Sequence, residues 1–461
     1  MQRATYPLER LFGRILTPFE RFLKRTTAGG IVLMVTTVVA LILANSPWGG
    51  AFTQLWEQPG RIGIGTLELE LSLQHWINDA FMALFFLLVG LELKREILVG
   101  ELSSLKGAAL PMAAALGGML VPALIYYSFN QSEDTVAGWG IPMATDIAFA
   151  VAILVLLAWR IPRNLIVFLT ALAIVDDLGA VLLIATFYTH AIDLQALASA
   201  AAVMAVLILC NQGGIRHPLP YGFLGVLLWL ALLHSGVHAT IAGVLLATTI
   251  PARPAFSPLR FSYRLQTLKQ AFREEILKRE TSDGPLSNQR LATIAKNVEK
   301  AAQAPQQCME HSLIPWVTLI VIPSFVLANA GIDFRTIQVN ESLIHPVTLG
   351  VMVGLVAGKF IGIGGASWIA VALGIAVLPR GVRWRHIFGV AWLGGIGFTM
   401  SLFISQLAFV DNSSLVERAK LGILLGSVLA ATLGLTWLYL TRRKPYEPPV
   451  TRRGQIPTHG H

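Results

Sequence analysis

The sequence predicts an all-α polytopic membrane protein. About twelve transmembrane helices are expected, with inverted-topology repeats, two mid-membrane broken helices and a small external β-hairpin. Three observations carry this. The 461 residues are 54% hydrophobic and 13% charged, with positive mean hydropathy, a balance foreign to soluble domains. Apolar segments of adequate length lie near 29–47, 74–93, 107–128, 138–158, 163–188, 193–211, 219–234, 236–250, 312–330, 346–370, 386–409 and 416–440. Loop charges then sort by side: Lys94, Arg95, Arg160, Arg163, Arg216, Arg380, Arg383, Arg385 and Arg442 fall on one side. Glu57, Glu133, Asp134, Asp333 and Asp411 fall on the other. The net charge of +9 thus resides in short topology-setting loops, and nucleic acid is not an expected partner.

The first apolar run follows a basic stretch but ends in no small-residue cleavage site, so it reads as a retained span. The chain divides into an N-terminal tail (1–28), eight spans (29–250), a basic insert (251–309), four spans (310–441) and a C-terminal tail (442–461). Tails and insert are predicted to be cytoplasmic. Cys210 and Cys308 fall on that same side and predict neither a disulfide nor a metal motif. The insert carries ten bases against five acids, and its stretches Leu265 to Glu280 and Asn288 to Ala302 read as amphipathic helices suited to anionic lipid.

Residues 61–73 alternate apolar and polar side chains around Gly65-Thr66, a hairpin signal. An isolated two-stranded hairpin exposes edges that invite a second copy, so a homodimer contact is one reading and a hairpin flat on its own protein the other.

Asp176 and Asp177 stand in the middle of the run from Ile161 to Tyr188. A carboxylate near a bilayer centre costs roughly 2.5–3.5 kcal/mol even on the mildest scale. Successive helical residues point about 100° apart, so one acid is expected to line a path and the other to meet a packed neighbour. Pro142, with Gly140, precedes Thr145-Asp146 and predicts an unwound helix. Gly394, Gly395 and Gly397, followed by Thr399 and Ser401, interrupt a second apolar run. Interrupted spans in corresponding halves point to a transport site where they cross. Gly350, Gly354, Gly358 and Gly362 recur every four residues, allowing close helix approach, and Lys359 follows in an apolar helix. Too deep to snorkel, Lys359 needs Asp176 or Asp177 as its anion. Glu92, Lys94, Arg95 and Glu96 end the second span, either as solvated anchors or as proton sensors.

Several runs in order resemble the NhaA-type sodium/proton antiporters: Val89-Gly-Leu-Glu92-Leu-Lys94-Arg95-Glu96, Ala144-Thr145-Asp146, Leu172-Ala-Ile-Val-Asp176-Asp177-Leu-Gly179, Ser235-Gly-Val-His238-Ala-Thr240, Leu327-Ala-Asn-Ala-Gly331, Gly395-Ile-Gly-Phe-Thr-Met-Ser401 and Ala419-Lys420-Leu-Gly. The resemblance covers about 28–441 and implies a secondary transporter, not an enzyme, in a bacterial inner membrane. It implies that Asp177 and Asp176 bind Na+ or Li+, that Lys359 pairs with Asp176, and that Thr145 and Asp146 lie beside them. Glu92, Arg95, Glu96, His238, Glu310 and His311 become candidates for a pH response near the cytoplasmic funnel. No cofactor is implied beyond the transported ions Na+, Li+ and H+. Two features depart from the family: an unusually long insert over 252–306, and Gln307 and Cys308 where bases are expected.

The expected chemistry is electrogenic exchange, in which protons and an alkali cation compete for the same carboxylates. An intramembrane aspartyl protease using Asp146 and Asp177 is a rival reading, and a passive cation channel another.

Overall fold

The structure is a computed structural model and describes residues 28–64, 67–189, 192–252, 270, 304–335, 339–410 and 412–441. The two tails lie outside the described residues, as does the insert's 253–303 stretch with both predicted amphipathic helices, apart from Gln270.

Helix α1 (Ala28–Ala44) turns by 111° into α2 (Gly49–Glu57). The turn holds Pro47, which offers no backbone donor. Arg335 covers carbonyls exposed at this turn, donating to those of Ala44 and Ser46 at 3.2 Å. The same guanidinium holds the Asp333 carboxyl below the usual carboxylate range through hydrogen bonds.

Strands β1 (Pro59–Ile64) and β2 (Leu67–Ser72) pair antiparallel from Pro59↔Ser72 to Ile64↔Leu67, as the alternation predicts. Trp76 donates from Nε1 to the Gly60 carbonyl and ties the hairpin to the helix that follows.

The described residues contain eight helices long and apolar enough to cross a membrane, or ten if each bent pair is one span. These include α3 (Leu73–Leu98), α4 (Leu105–Phe129), α6 (Arg163–Phe187), α7 (Leu194–Gln212), α10 (Pro305–Asn329), α11 (Pro346–Ala372) and α14 (Ser413–Leu440). The eighth, Glu133–Leu156, joins a short helical turn and the 3₁₀ helix Ala137–Met143 to α5 (Ile147–Leu156). The second bent pair is α12 (Trp384–Leu393) with α13 (Phe398–Ala408).

Each predicted segment contains helix, but two are shorter than a crossing. α8 (Pro218–Leu233) has sixteen residues, and the span predicted over 236–250 is reduced to the nine residues of α9 (Ile241–Thr249). Nine residues rise about 14 Å against roughly 30 Å of hydrocarbon. The cause is the Ser235–Thr240 turn, where Gly236 adopts φ +80°. The ninth predicted span, by contrast, begins earlier: α10 starts at Pro305, inside the segment assigned to the insert. Gln306 anchors that first turn by donating to the Leu91 carbonyl at 2.6 Å.

The glycine stripe of α11 lies on α4. A Cβ added at Gly358 would stand 2.8 Å from Pro122 Cα, so the two backbones touch and only glycine fits. A π turn at Gly354–Gly358 immediately precedes Lys359. The largest buried apolar cluster gathers α3, α4, α6, α11, α13 and α14 around the two broken segments.

Candidate ion-binding site

The two interrupted spans meet at their breaks. Residues 144–146 are extended between the 3₁₀ helix and α5, and 394–397 separate α12 from α13 with a 46° bend. Pro142 stays inside the 3₁₀ turn, so unwinding comes two residues later than the proline suggests. Breaking a helix strands backbone donors and acceptors, and each break supplies the other's partners. The Asp146 N–H donates to the Ile396 carbonyl at 2.6 Å. Thr145 Oγ1 donates to the Gly394 carbonyl at 2.9 Å, and Ser401 Oγ to the Ile141 carbonyl at 2.7 Å. A Cβ at Gly397 would crowd the Ala144 carbonyl oxygen at 3.0 Å, which accounts for that glycine; Gly394 and Gly395 complete the turn.

Asp146 spends both oxygens on helix starts. Oδ1 accepts from the Phe149 N–H at 3.0 Å and so caps α5. Oδ2 accepts from the N–H (3.0 Å) and Oγ1 (2.6 Å) of Thr399 in the first turn of α13. One carboxylate thereby faces the positive ends of two half-helices.

Both paired acids of α6 are 1% exposed, yet their surroundings differ. Lys359 Nζ lies 2.6 Å from Asp176 Oδ2 and 3.0 Å from Thr145 Oγ1, with both members of the ion pair fully buried. This resolves which aspartate the lysine meets. Neither oxygen of Asp177 has a hydrogen-bond partner, and Asp176 Oδ1 has none either. An ionised carboxylate held this way is costly, so the position demands a proton or a cation. Among the described residues no group of three His, Cys, Asp or Glu forms a resident metal centre.

The remaining predicted residues fall in two places. At the basic end of α3, Arg95 pairs with Glu310 of α10 and reaches Glu96 at 3.4 Å, with Glu92 one turn earlier. Glu310 is buried and its Oε2 is unpartnered, whereas His311 beside it is exposed. Lys94 is no solvated anchor: its ammonium donates to the carbonyls of Ala247, Thr248 and Ile250 and closes the end of α9. His238 does not belong to this cluster, which corrects the expectation of one funnel. It sits in the turn before α9, 4.0 Å from Asp79 near the opposite end of α3. Thr399 and Ser401 stood out in the sequence only as hydroxyls after glycines, and their roles became visible through the crossing.

Over residues 20–438 the chain matches the profile of the family described as Na+/H+ antiporter 1. It belongs to that family. Curated relatives named Na(+)/H(+) antiporter NhaA agree. The protein of Syntrophobacter fumaroxidans is 65% identical over 449 residues, covering 96% of this chain and 95% of its own. That of Acidithiobacillus ferrooxidans is 57% identical over 438 residues, covering 94% and 100%. As a member of the Na+/H+ antiporter family, the chain is a multi-pass secondary transporter and not an enzyme. The aspartyl protease reading fails on geometry too, since Asp146 is committed to capping.

Proposed function

We propose that the protein exports Na+ or Li+ in exchange for protons, electrogenically and under pH control, by alternating access to Asp177 and Asp176. The observation that carries this reading is the buried, unpartnered Asp177 carboxylate beside a fully formed Asp176–Lys359 pair. The cation, as substrate, takes the open oxygens of Asp177 and Asp176 and displaces the proton that Asp177 otherwise holds. When Asp176 turns toward the cation, Lys359 loses its anion and gives up a second proton. Two protons against one monovalent cation move net charge. Proton entry then drives sodium out.

The basic loops support an inner-membrane orientation with both termini cytoplasmic. Glu92, Arg95, Glu96 and Glu310 are the groups assigned to the pH response, because Arg95 divides itself between Glu96 and the buried Glu310, whose Oε2 is unpartnered, with Glu92 one turn away. His311, beside Glu310, and His238, near the other end of α3, are the remaining candidates for the pH response. The hairpin over 61–73 is proposed as a homodimer contact, and the 251–309 insert as a contact for anionic lipid.

The test is collapse of an acid-inside gradient in everted vesicles on adding Na+, Li+ or K+, with and without a clamped membrane potential. Discharge by Na+ or Li+ that speeds up when the potential is clamped supports electrogenic exchange. Discharge indifferent to the clamp removes the two-for-one stoichiometry.

A further inference from the structure

Two motifs of the resemblance, Ser235 to Thr240 and Leu327 to Gly331, are not used by the ion site, and neither is Asn78-Asp79 near the start of α3. The fold brings all three together. Asn329, at the end of α10, is fully buried; its Nδ2 donates to Asn78 Oδ1 at 2.8 Å, and its Oδ1 accepts from Gln74 Nε2 at 3.0 Å. Asn78 and Asp79 lie in a π turn, Ile77–Phe81, a distortion that recurs at functional positions and here turns consecutive residues to different partners. Asn78 faces Asn329, and Asp79 faces His238, whose Nδ1 is 4.0 Å from Asp79 Oδ1 and 3.3 Å from Thr240 Oγ1. Among the described residues Asp79 pairs with no Lys or Arg, unlike Asp176.

Helix α13 measures where this cluster lies. Its first turn holds Asp146 through Thr399. One turn on, the Phe403 ring packs 5.9 Å from that of His238, 5.7 Å from Phe86 and 6.1 Å from Phe325. Its last turn, at Gln406, borders a cavity of about 300 Å³ also lined by Gln74, by the acids Glu57, Asp333 and Glu417, and by one base, Lys420. From Thr399 to Gln406 is about 10 Å of helix. Ion site, packed aromatic cluster and polar cavity therefore follow one another along a single helix, with Asp79 reaching the cluster through His238.

We propose that Asp79 is a second cation-handling carboxylate, on the route between the ion site and this cavity, and that Asn329 is its positioning residue, acting through Asn78. The cavity lies at the end of α3 remote from the basic loops, so Asp79 serves the outer face. A carboxylate there, offset by a histidine and by no fixed cation, collects Na+ before or after its passage past Phe403. Asn329 fixes the π turn, so the carboxylate points at the route instead of into the helix packing. The inference rests on the alternating-access reading proposed above.

The experiment is ²²Na+ exchange at varied Na+ in right-side-out and in everted vesicles, which read the outer and the cytoplasmic face separately. Asp79→Asn is expected to raise half-saturation at the outer face about tenfold and leave the cytoplasmic value within about twofold, as loss of one charged binding contact requires. Asn329→Ala should raise the outer value about threefold in the same one-sided way, and Asp79→Glu should restore it to within about threefold of wild type. Equal shifts at both faces, or none at either, overturn the proposal. If Asp79→Asn does not reach the membrane, Asn329→Ala decides alone, by the same one-sided criterion. Wild-type vesicles without Na+-driven proton movement would instead break the parent reading.

Discussion

The crossing of the broken helices and the basic end of α3 both collect charge, but they hold it differently. At the crossing, Asp146, Thr145, Thr399 and Ser401 each have defined partners at 2.6–3.0 Å, and the residues are buried. At the end of α3, Arg95 is 39% exposed and divides itself between Glu96 and Glu310, whose second oxygen is unpartnered. The first arrangement is a frame of satisfied groups around one carboxylate, Asp177, whose oxygens have no hydrogen-bond partner and which the proposed exchange uses for its substrate. The second consists of half-hydrated charges with shared partners, where protonation changes pairing at small cost. The contrast suggests that affinity is set at the crossing and regulation at the α3 end.

The largest effect should come from Asp177→Asn. It keeps size and polarity but removes the exchangeable proton, so exchange in everted vesicles is expected to vanish while the protein stays in the membrane. Residual exchange above a tenth of wild type, about 1.4 kcal/mol of transition-state loss, would show that another group carries the proton. Lys359→Ala should be next, lowering stability by about 3–5 kcal/mol because Asp176 is left charged and buried. Replacing both partners, Lys359→Met with Asp176→Leu, is expected to cost less than Lys359→Ala alone. A thermal midpoint for the double variant below that of the single would mean the pair is not the reason for the loss.

Thr399→Val removes the shortest bond to Asp146 while keeping shape, and should cost about 1–3 kcal/mol in thermal unfolding. Glu310→Gln sharpens the comparison from the other side. It is expected to leave stability within about 1 kcal/mol, as pairs with an exposed member do, and to shift the pH at which exchange begins. A collapse of stability with an unmoved pH profile would reverse the roles assigned to the two regions.

The smallest effect concerns His345, whose Nδ1 accepts from the Val347 N–H and caps α11. Burial, then Arg418, push its pKa below the usual histidine value. The unfolded chain therefore binds the proton more readily, and this contribution to stability is lost as pH falls below about 6.5. His345→Asn keeps a cap without a titratable ring, so its thermal midpoint should vary less between pH 7 and about 5, by up to roughly 1 kcal/mol. An unchanged acid dependence would mean that the ring's protonation does not matter there.

Much of the fold was legible because bilayer burial imposes a simple rule, long apolar runs with basic loops on one side. Asp176, Asp177 and Lys359 were legible for the same reason, since charge in such runs stands out. What one dimension concealed was pairing. Residue chemistry left Asp176 and Asp177 both open to Lys359 and only the resemblance pointed to Asp176, because the choice depends on rotation about α6, set by packing against α3, α4 and α5. The double capping by Asp146 depends on α13 starting at its side chain, hundreds of residues away. His238 was set near the cytoplasmic funnel by resemblance alone, although a span over 236–250 that runs into the basic insert already puts residue 238 at its far end. Asn329, a neutral amide in an apolar helix, gave no charge signal at all.

The central claim is that Asp177 itself trades a proton for the cation. The most direct measurement is proton release from purified protein in weakly buffered solution when Na+ is added, for wild type and Asp177→Asn. Release by wild type and none by the variant is the predicted result. Undiminished release from the variant would contradict the account, because the proton would then come from a group other than Asp177.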